Sequence, residues 1–303
     1  MTQTLRIYEP RIDDKTSKMD VGGMSISATN TVTALLYGLA NHKSDKAREY
    51  YFWRLCDELW NHDELPEPLM VKHPWAESMI QAVIKNKYVS IGGAASSGKS
   101  HTMAAWGILN WLAAPRDTLV LLTSTTLREA RKRIWGSVIS LLTVLEGAPF
   151  KIRDSIGNVA YVNENGTLIE KAGLSLIAAE RSKTREAVGK FIGIKQKNVI
   201  LIADELSELS TAILQAGLSN LSKNPSFSLV GLSNPASRWD AFGEWSEPAK
   251  GWDSIDPNTE DSWKTKWGGL YERYDGERSP NILAGETVYP WLPTKEKIDE
   301  DKA

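Results

Sequence analysis

A lysine, a serine and two carboxylates define the chemistry open to this chain. Lys99 and Ser100 close the octet Gly93-Ala94-Ala95-Ser96-Ser97-Gly98-Lys99-Ser100, which reads G-x-x-x-x-G-K-S. Such a loop turns successive backbone N–H groups toward one point, and a following helix adds the positive end of its dipole there. A triphosphate fits that point. Lys99 would reach the β- and γ-phosphates, and Ser100 would set its hydroxyl on Mg²⁺. The backbone amides of Gly93, Ala94, Ala95, Ser96, Ser97 and Gly98 would cradle the phosphates.

The carboxylates come later. Asn198-Val199-Ile200-Leu201-Ile202-Ala203 runs into Asp204-Glu205. An apolar strand ending in two acids delivers both to the crevice at the strand's carboxyl end. Asp204 would hold Mg²⁺, directly or through water. Glu205 would orient and deprotonate the attacking water as general base. The stretch from Lys99 to Asp204 holds at least two further strands, which suits ATPases whose acidic strand is not adjacent to the P-loop strand. Asn86-Lys87 is followed by Tyr88-Val89, so no N-K-x-D guanine reader is present. Asn234, at the end of Ser226–Leu232 and before Pro235, is placed to bond the γ-phosphate or the lytic water.

The elements that must hold these groups follow from local pattern. Tyr88-Val89-Ser90-Ile91-Gly92 reads as a buried strand before the loop, and Thr102–Leu112 as a helix after it. Thr118–Thr123 is a second buried strand. Ser124-Thr125-Thr126 then caps a helix with Leu127, Ala130, Ile134, Val138 and Leu141 on one face. Residues 151–179, with Asn163-Glu164-Asn165-Gly166 at their middle, predict a hairpin feeding the strand Leu174–Ala178. Strands alternating with helices argue for a mostly parallel sheet with helices on both faces. Ahead of this core lie a polar arm over 1–30 and helical periodicity from Thr31 to Trp60. The sequence thus divides into an arm and helical cap (1–68), an ATPase core (69–235), and a tryptophan-rich lid and linker (236–303).

Composition sets outer limits. The chain has 303 residues, 42% of them hydrophobic, a net charge of −2 and one cysteine, Cys56. That supports a real core and excludes an internal disulfide framework or a cysteine zinc site. Any contact with DNA must use a local basic patch, because the whole-chain field does not attract it. No signal peptide or membrane-length apolar run is visible. Five tryptophans fall between Trp239 and Trp267. They either pack a lid or stack on bases, and acidic neighbours such as Asp240, Glu244 and Asp253 favour the lid.

Three stretches together, Gly93–Ser100, Val199–Glu205 and Leu232-Ser233-Asn234-Pro235, resemble the N-terminal ATPase part of the large terminase subunit of tailed bacteriophages. The run Ser279-Pro280-Asn281-Ile282 is similar to one that follows the ATPase core in some members. The resemblance spans roughly residues 70–290. It implies a RecA-like P-loop NTPase core of the ASCE type, using ATP and Mg²⁺. It further implies a motor that threads double-stranded DNA into a procapsid. The partners would be the portal protein and the small terminase subunit. The site would be a homo-oligomeric ring in the host bacterial cytoplasm, away from membranes. The chain also departs from that family. Many members carry an arginine inside the P-loop, and here Ala94, Ala95 and Ser96 stand there. Many carry an upstream glutamine that reads adenine. Here Pro74-Trp75-Ala76-Glu77 occupies that stretch, with Trp75 the candidate contact for the base. Members continue into a nuclease domain with clustered metal-binding acids, whereas this chain runs to Ala303 in a charged tail. It reads as an ATPase fragment without nuclease activity, the alternative being a nuclease encoded elsewhere.

With no P-loop arginine, a finger for the transferring phosphate is expected from elsewhere, and from a neighbouring subunit. Such a guanidinium is worth roughly 10³–10⁵ in rate. Arg128 is the first candidate and Arg131 lies one turn on. Arg181 and Arg185, before the acidic strand, are the alternatives, and all four could instead be surface or DNA-binding charges. Two other readings compete with the motor. A helicase-like translocase would repeat the RecA unit, and no repeat is found. A non-hydrolysing NTP-binding assembly module would have no use for Glu205.

Overall fold

The computed structural model describes residues 11–12, 19–20, 29–145, 148–163, 165–179, 188–189, 191, 193–256 and 258–302. Most of the polar arm expected over 1–30 lies outside them. So do Arg181 and Arg185. Of the arm, β1 (Arg11–Ile12) pairs with β2 (Met19–Asp20). Two helices, α1 (Thr29–Asn41) and α2 (Asp45–Trp60), occupy the stretch with helical periodicity.

The rest is built on one nine-stranded sheet. Its strands in chain order are β3 (Tyr88–Gly93), β4 (Thr118–Ser124), β5 (Phe150–Arg153), β6 (Asn158–Val162), β7 (Leu168–Ala178), β8 (Asn198–Ala203), β9 (Ser226–Ser233), β10 (Ser262–Lys264) and β11 (Leu270–Tyr274). Their order across the sheet is β10-β11-β3-β9-β8-β4-β7-β6-β5. From β11 to β7 every pairing is parallel, and both margins are antiparallel. β9 therefore separates the P-loop strand β3 from the acidic strand β8. Valine, isoleucine and leucine fill the central strands because both faces are covered.

One face carries α3 (Pro74–Lys85), α4 (Lys99–Ala113) and α6 (Ile134–Thr143), with α1 and α2 packed outside them in the same apolar core. Trp60 Nε1 donates to the Leu141 carbonyl at 2.9 Å, which ties α2 to α6. The N-terminal helices thus share the core of the sheet. The second face carries α7 (Thr211–Leu221) and α8 (Ala241–Ser246). The helix expected after Ser124-Thr125-Thr126 is broken at Arg133 into α5 (Leu127–Lys132) and α6. Trp135 is buried, its indole donating to Asp154 Oδ1 at 2.7 Å.

The tryptophan-rich segment adds two strands to the sheet. β11 lies parallel to β3 over five residue pairs, Leu270↔Val89 to Tyr274↔Gly93. Trp245 is buried with its indole on the Val89 carbonyl at 3.0 Å, and Trp263 stacks on Tyr271. Trp239 stands out at 82% exposure. Two helices end the chain, α9 (Pro280–Ala284) and α10 (Lys295–Lys302). No helix among the described residues is long and apolar enough to cross a membrane.

Candidate active site

β3 ends at Gly93, and the loop Ala94–Gly98 turns into α4. Ser96 (φ 59°) and Gly98 (φ 80°) both adopt the left-handed conformation. Glycine takes that geometry freely, whereas a side chain makes it costly, so Ser96 marks a locally strained loop. Alternating hands of this kind aim consecutive N–H groups into a concavity that suits an anion.

Lys99 is buried, and its ammonium folds back on the loop. It donates to the carbonyls of Gly93 (2.9 Å) and Ala94 (2.8 Å), to Ser97 Oγ (3.1 Å) and to Asn234 Oδ1 (3.0 Å). Burial lowers its pKa to about 8, against the opposing pull of Glu205 and Asp204. The sequence places Asn234 to meet a phosphate or water. Here its amide oxygen holds the lysine that would do so.

Ser100 Oγ donates to Asp204 Oδ1 at 2.8 Å, which joins the first turn of α4 to the end of β8. Asp204 is 2% exposed, and burial raises its pKa to about 6, opposed in part by the Ser100 hydrogen bond. Its second oxygen, Oδ2, is buried without a partner. A buried unpaired carboxylate oxygen costs stability unless a cation or donor meets it. A hydroxyl and a carboxylate oxygen side by side are the hard donors that Mg²⁺ takes, so the residues present fit that ion.

Glu205 follows with φ 52°, a left-handed glutamate. Arg133 Nη1 lies 2.9 Å from its Oε1. The N–H is not aligned for a hydrogen bond, so the contact is Coulombic. Arg133 is the residue at which α5 gives way to α6, with φ −117° and ψ −110°. Ser233 Oγ donates to Ser207 Oγ at 2.7 Å and so links the end of β9 to the turn after Glu205.

The structure thus gathers Lys99, Ser100, Asp204, Glu205 and Asn234 at one crevice and adds Arg133. Arg128 is exposed on α5. Arg131 is spent on the carbonyls of Asp154 and Ser155, each at 3.0 Å. Trp75 packs edge-on against Tyr274 with ring centres 5.7 Å apart. A cavity of about 400 Å³ beside the P-loop is lined instead by Leu69, Val71, His73, His101, Thr102 and Trp291 among others. His101 Nε2 is 2.7 Å from the Leu69 carbonyl.

Sequence reasoning missed Arg133 and this cavity. Arg133 carries no helix-breaking neighbour to advertise it. The residues of Pro68–His73 that line the cavity carry no motif.

A parallel sheet carrying a glycine-rich loop on one strand and paired acids on the next strand but one is the RecA-like fold of P-loop nucleoside triphosphatases. In particular, it is the fold of the large terminase ATPase domain of Thermus phage P74-26. An arginine-to-alanine variant of that domain matches at 14% identity and TM-score 0.50, over 77% of this chain and 88% of its own. A large terminase from a thermophilic bacteriophage, solved in complex with ADP, overlaps 86% of this chain at 11% identity and TM-score 0.48, across 49% of its own length. No protein-family model and no curated protein sequence matches the chain.

Proposed function

We propose that the chain is the ATPase of a DNA-packaging motor, hydrolysing ATP to drive double-stranded DNA into a viral procapsid. The observation that carries the hydrolytic reading is the Ser100–Asp204 hydrogen bond with Asp204 Oδ2 left bare beside it. A P-loop hydroxyl beside an acidic-strand carboxylate with a free oxygen supports a metal held between them. Ser100 and Asp204 would hold Mg²⁺, which would supply charge stabilisation to the phosphates. Lys99 trades its loop carbonyls for phosphate oxygens. Glu205 takes the proton of the attacking water. Asn234, released by Lys99, can then report the γ-phosphate to β9. His73, His101 and Trp291 wall a cavity of a size for the nucleoside.

The fold shared with a phage terminase domain and the Leu232–Pro235 run support the packaging reading. In it the portal protein, the small terminase subunit and further copies of the chain in a ring are the partners. The host cytoplasm is the setting. A finger supplied to a neighbouring copy must lie at the surface, as Arg128 does.

Phosphate release from Mg·ATP, with and without double-stranded DNA, tests the reading. Lys99→Ala is expected to abolish it. Glu205→Gln is expected to bind ATP with near-normal affinity and turn over about 10²–10⁴-fold more slowly. Hydrolysis that survives Lys99→Ala would remove the P-loop assignment. Mixing Arg128→Ala and Glu205→Gln subunits should restore some activity if the finger acts between copies.

A further inference from the structure

The segment after β11 folds back onto the P-loop. Tyr274 ends β11, and its carbonyl accepts the Ala94 N–H at 3.0 Å. Ser279 Oγ then donates to the Pro293 carbonyl at 2.6 Å. The Asn281 amide donates to the Tyr289 and Leu292 carbonyls and accepts from the N–H groups of Val288 and Tyr289. The Ser279-Pro280-Asn281 run is therefore a staple that holds residues 279–293 in one compact loop. That loop sets α10 down on the phosphate-binding turn. Ile298 packs where Gly276 has no side chain: a Cβ there would lie 2.7 Å from Ile298 Cδ1 and 3.2 Å from Ala94 Cβ. One residue earlier, Lys297 Nζ donates to Ser96 Oγ at 3.3 Å.

We propose that Lys297 is a phosphate-binding residue of the nucleotide site, carried to the P-loop by α10. The proposal rests on the reading of this site as one for a nucleoside triphosphate. The loop's own basic residue is Lys99, whose ammonium already has four partners. Ala94, Ala95 and Ser96 bring no second charge. Lys297 brings one to the rim of the concavity that Ser96 and Gly98 shape with their left-handed backbones. It is exposed, and no carboxylate among the described residues pairs with it. Its contact with a neutral hydroxyl is weak beside a charge-assisted bond to a phosphate oxygen, so a bound phosphate wins the ammonium. The flexible four-carbon stem lets the charge travel while Ile298 keeps the helix seated. The rest of α10 carries four acidic residues, Glu296, Asp299, Glu300 and Asp301, against two lysines, Lys295 and Lys302. The helix therefore offers a nucleotide no diffuse attraction, and Lys297 acts by contact.

The test is equilibrium binding of Mg·ADP and of the Mg²⁺ complex of the β,γ-imido analogue of ATP to the full chain, for wild type and three variants. Lys297→Ala and Lys297→Gln should each weaken binding about tenfold, the scale of one charged hydrogen bond. Lys297→Arg should stay within about twofold of wild type, since a guanidinium also meets phosphate. Adding salt should narrow the gap between wild type and Lys297→Gln. Lys297→Gln keeps a donor for Ser96 but no charge. Wild-type affinity in that variant would mean that the side chain only steadies the loop, and would overturn the inference while leaving the nucleotide site intact. A wild-type chain that binds neither ligand would bring down the nucleotide reading itself, and the inference with it.

Discussion

Glu205 is asked to do two things that oppose each other. A left-handed backbone at a non-glycine residue costs about 1–2 kcal/mol, and Glu205 sits there at φ 52°. The strain directs its carboxylate off the end of β8, where Arg133 meets it. Replacing Glu205 with glycine removes the strain together with a partly exposed ion pair that contributes little. Glu205→Gly should therefore melt at a higher temperature than wild type while losing hydrolysis, and Glu205→Ala should not share the gain. Thermal unfolding of the three proteins decides it, and a glycine variant that melts below wild type would mean the strain is not real. Residue type and position after an apolar run made Glu205 legible in the sequence. Its backbone was not, because nothing in Ala203-Asp204-Glu205-Leu206 signals a left-handed turn. Arg133 was illegible for a related reason: it gains its partner only when β4 and β8 lie side by side.

The elements that read most clearly were those with strong periodicity, namely β3, α4, β4, β8 and β9. The strand β11 did not. Leu270-Tyr271-Glu272-Arg273-Tyr274 carries two adjacent charges in a stretch with little periodicity. In the fold Glu272 accepts from Ser78 Oγ (2.8 Å) and from the Tyr274 hydroxyl (2.5 Å), and Arg273 pairs with Asp261 (2.7 Å). Glu272 is satisfied by a hydroxyl of α3 and by Tyr274 on its own strand, and only Arg273 meets an opposite charge, from Asp261 on an earlier loop, so the pairings lie outside any strand pattern. The start of α3 offers a test at this scale. His73 is its N-cap, its Nδ1 accepting the Ala76 N–H at 3.3 Å. Burial, with His101 beside it, lowers its pKa from 6.5 to about 4. The folded state thus binds fewer protons than the unfolded chain between those values. The stabilisation is complete above pH 6.5 and is lost as the pH falls through about 4, to a limit of about 3 kcal/mol. Asparagine caps a helix without titrating. His73→Asn should therefore lose less melting temperature than wild type on going from pH 7.5 to 4.5. Equal losses would show that His73 ionises freely in the fold.

Across the whole molecule, the tryptophan-rich segment is integral to the sheet. Trp245 fills the second core, bonds the Val89 carbonyl, and stacks on Trp267 with ring centres 5.9 Å apart. Trp245→Ala should cost about 3–5 kcal/mol, read as a lower urea midpoint with far-UV signal intact in water. A shift near zero would mean that this segment folds apart from the core. The pairing of β11 with β3 carries one more consequence, which is mechanical. The strand that bears the P-loop is gripped on one side by β9, ending at Asn234, and on the other by β11, ending at Tyr274. Both neighbours run parallel to it. Tension applied to the chain beyond Tyr274 would load the β11–β3 ladder in shear, so that its hydrogen bonds share the pull instead of opening one by one from an end. Force at the far end of this polypeptide would thus reach the phosphate-binding turn through a stiff, short path, and little of it would be dissipated in stretching the chain between.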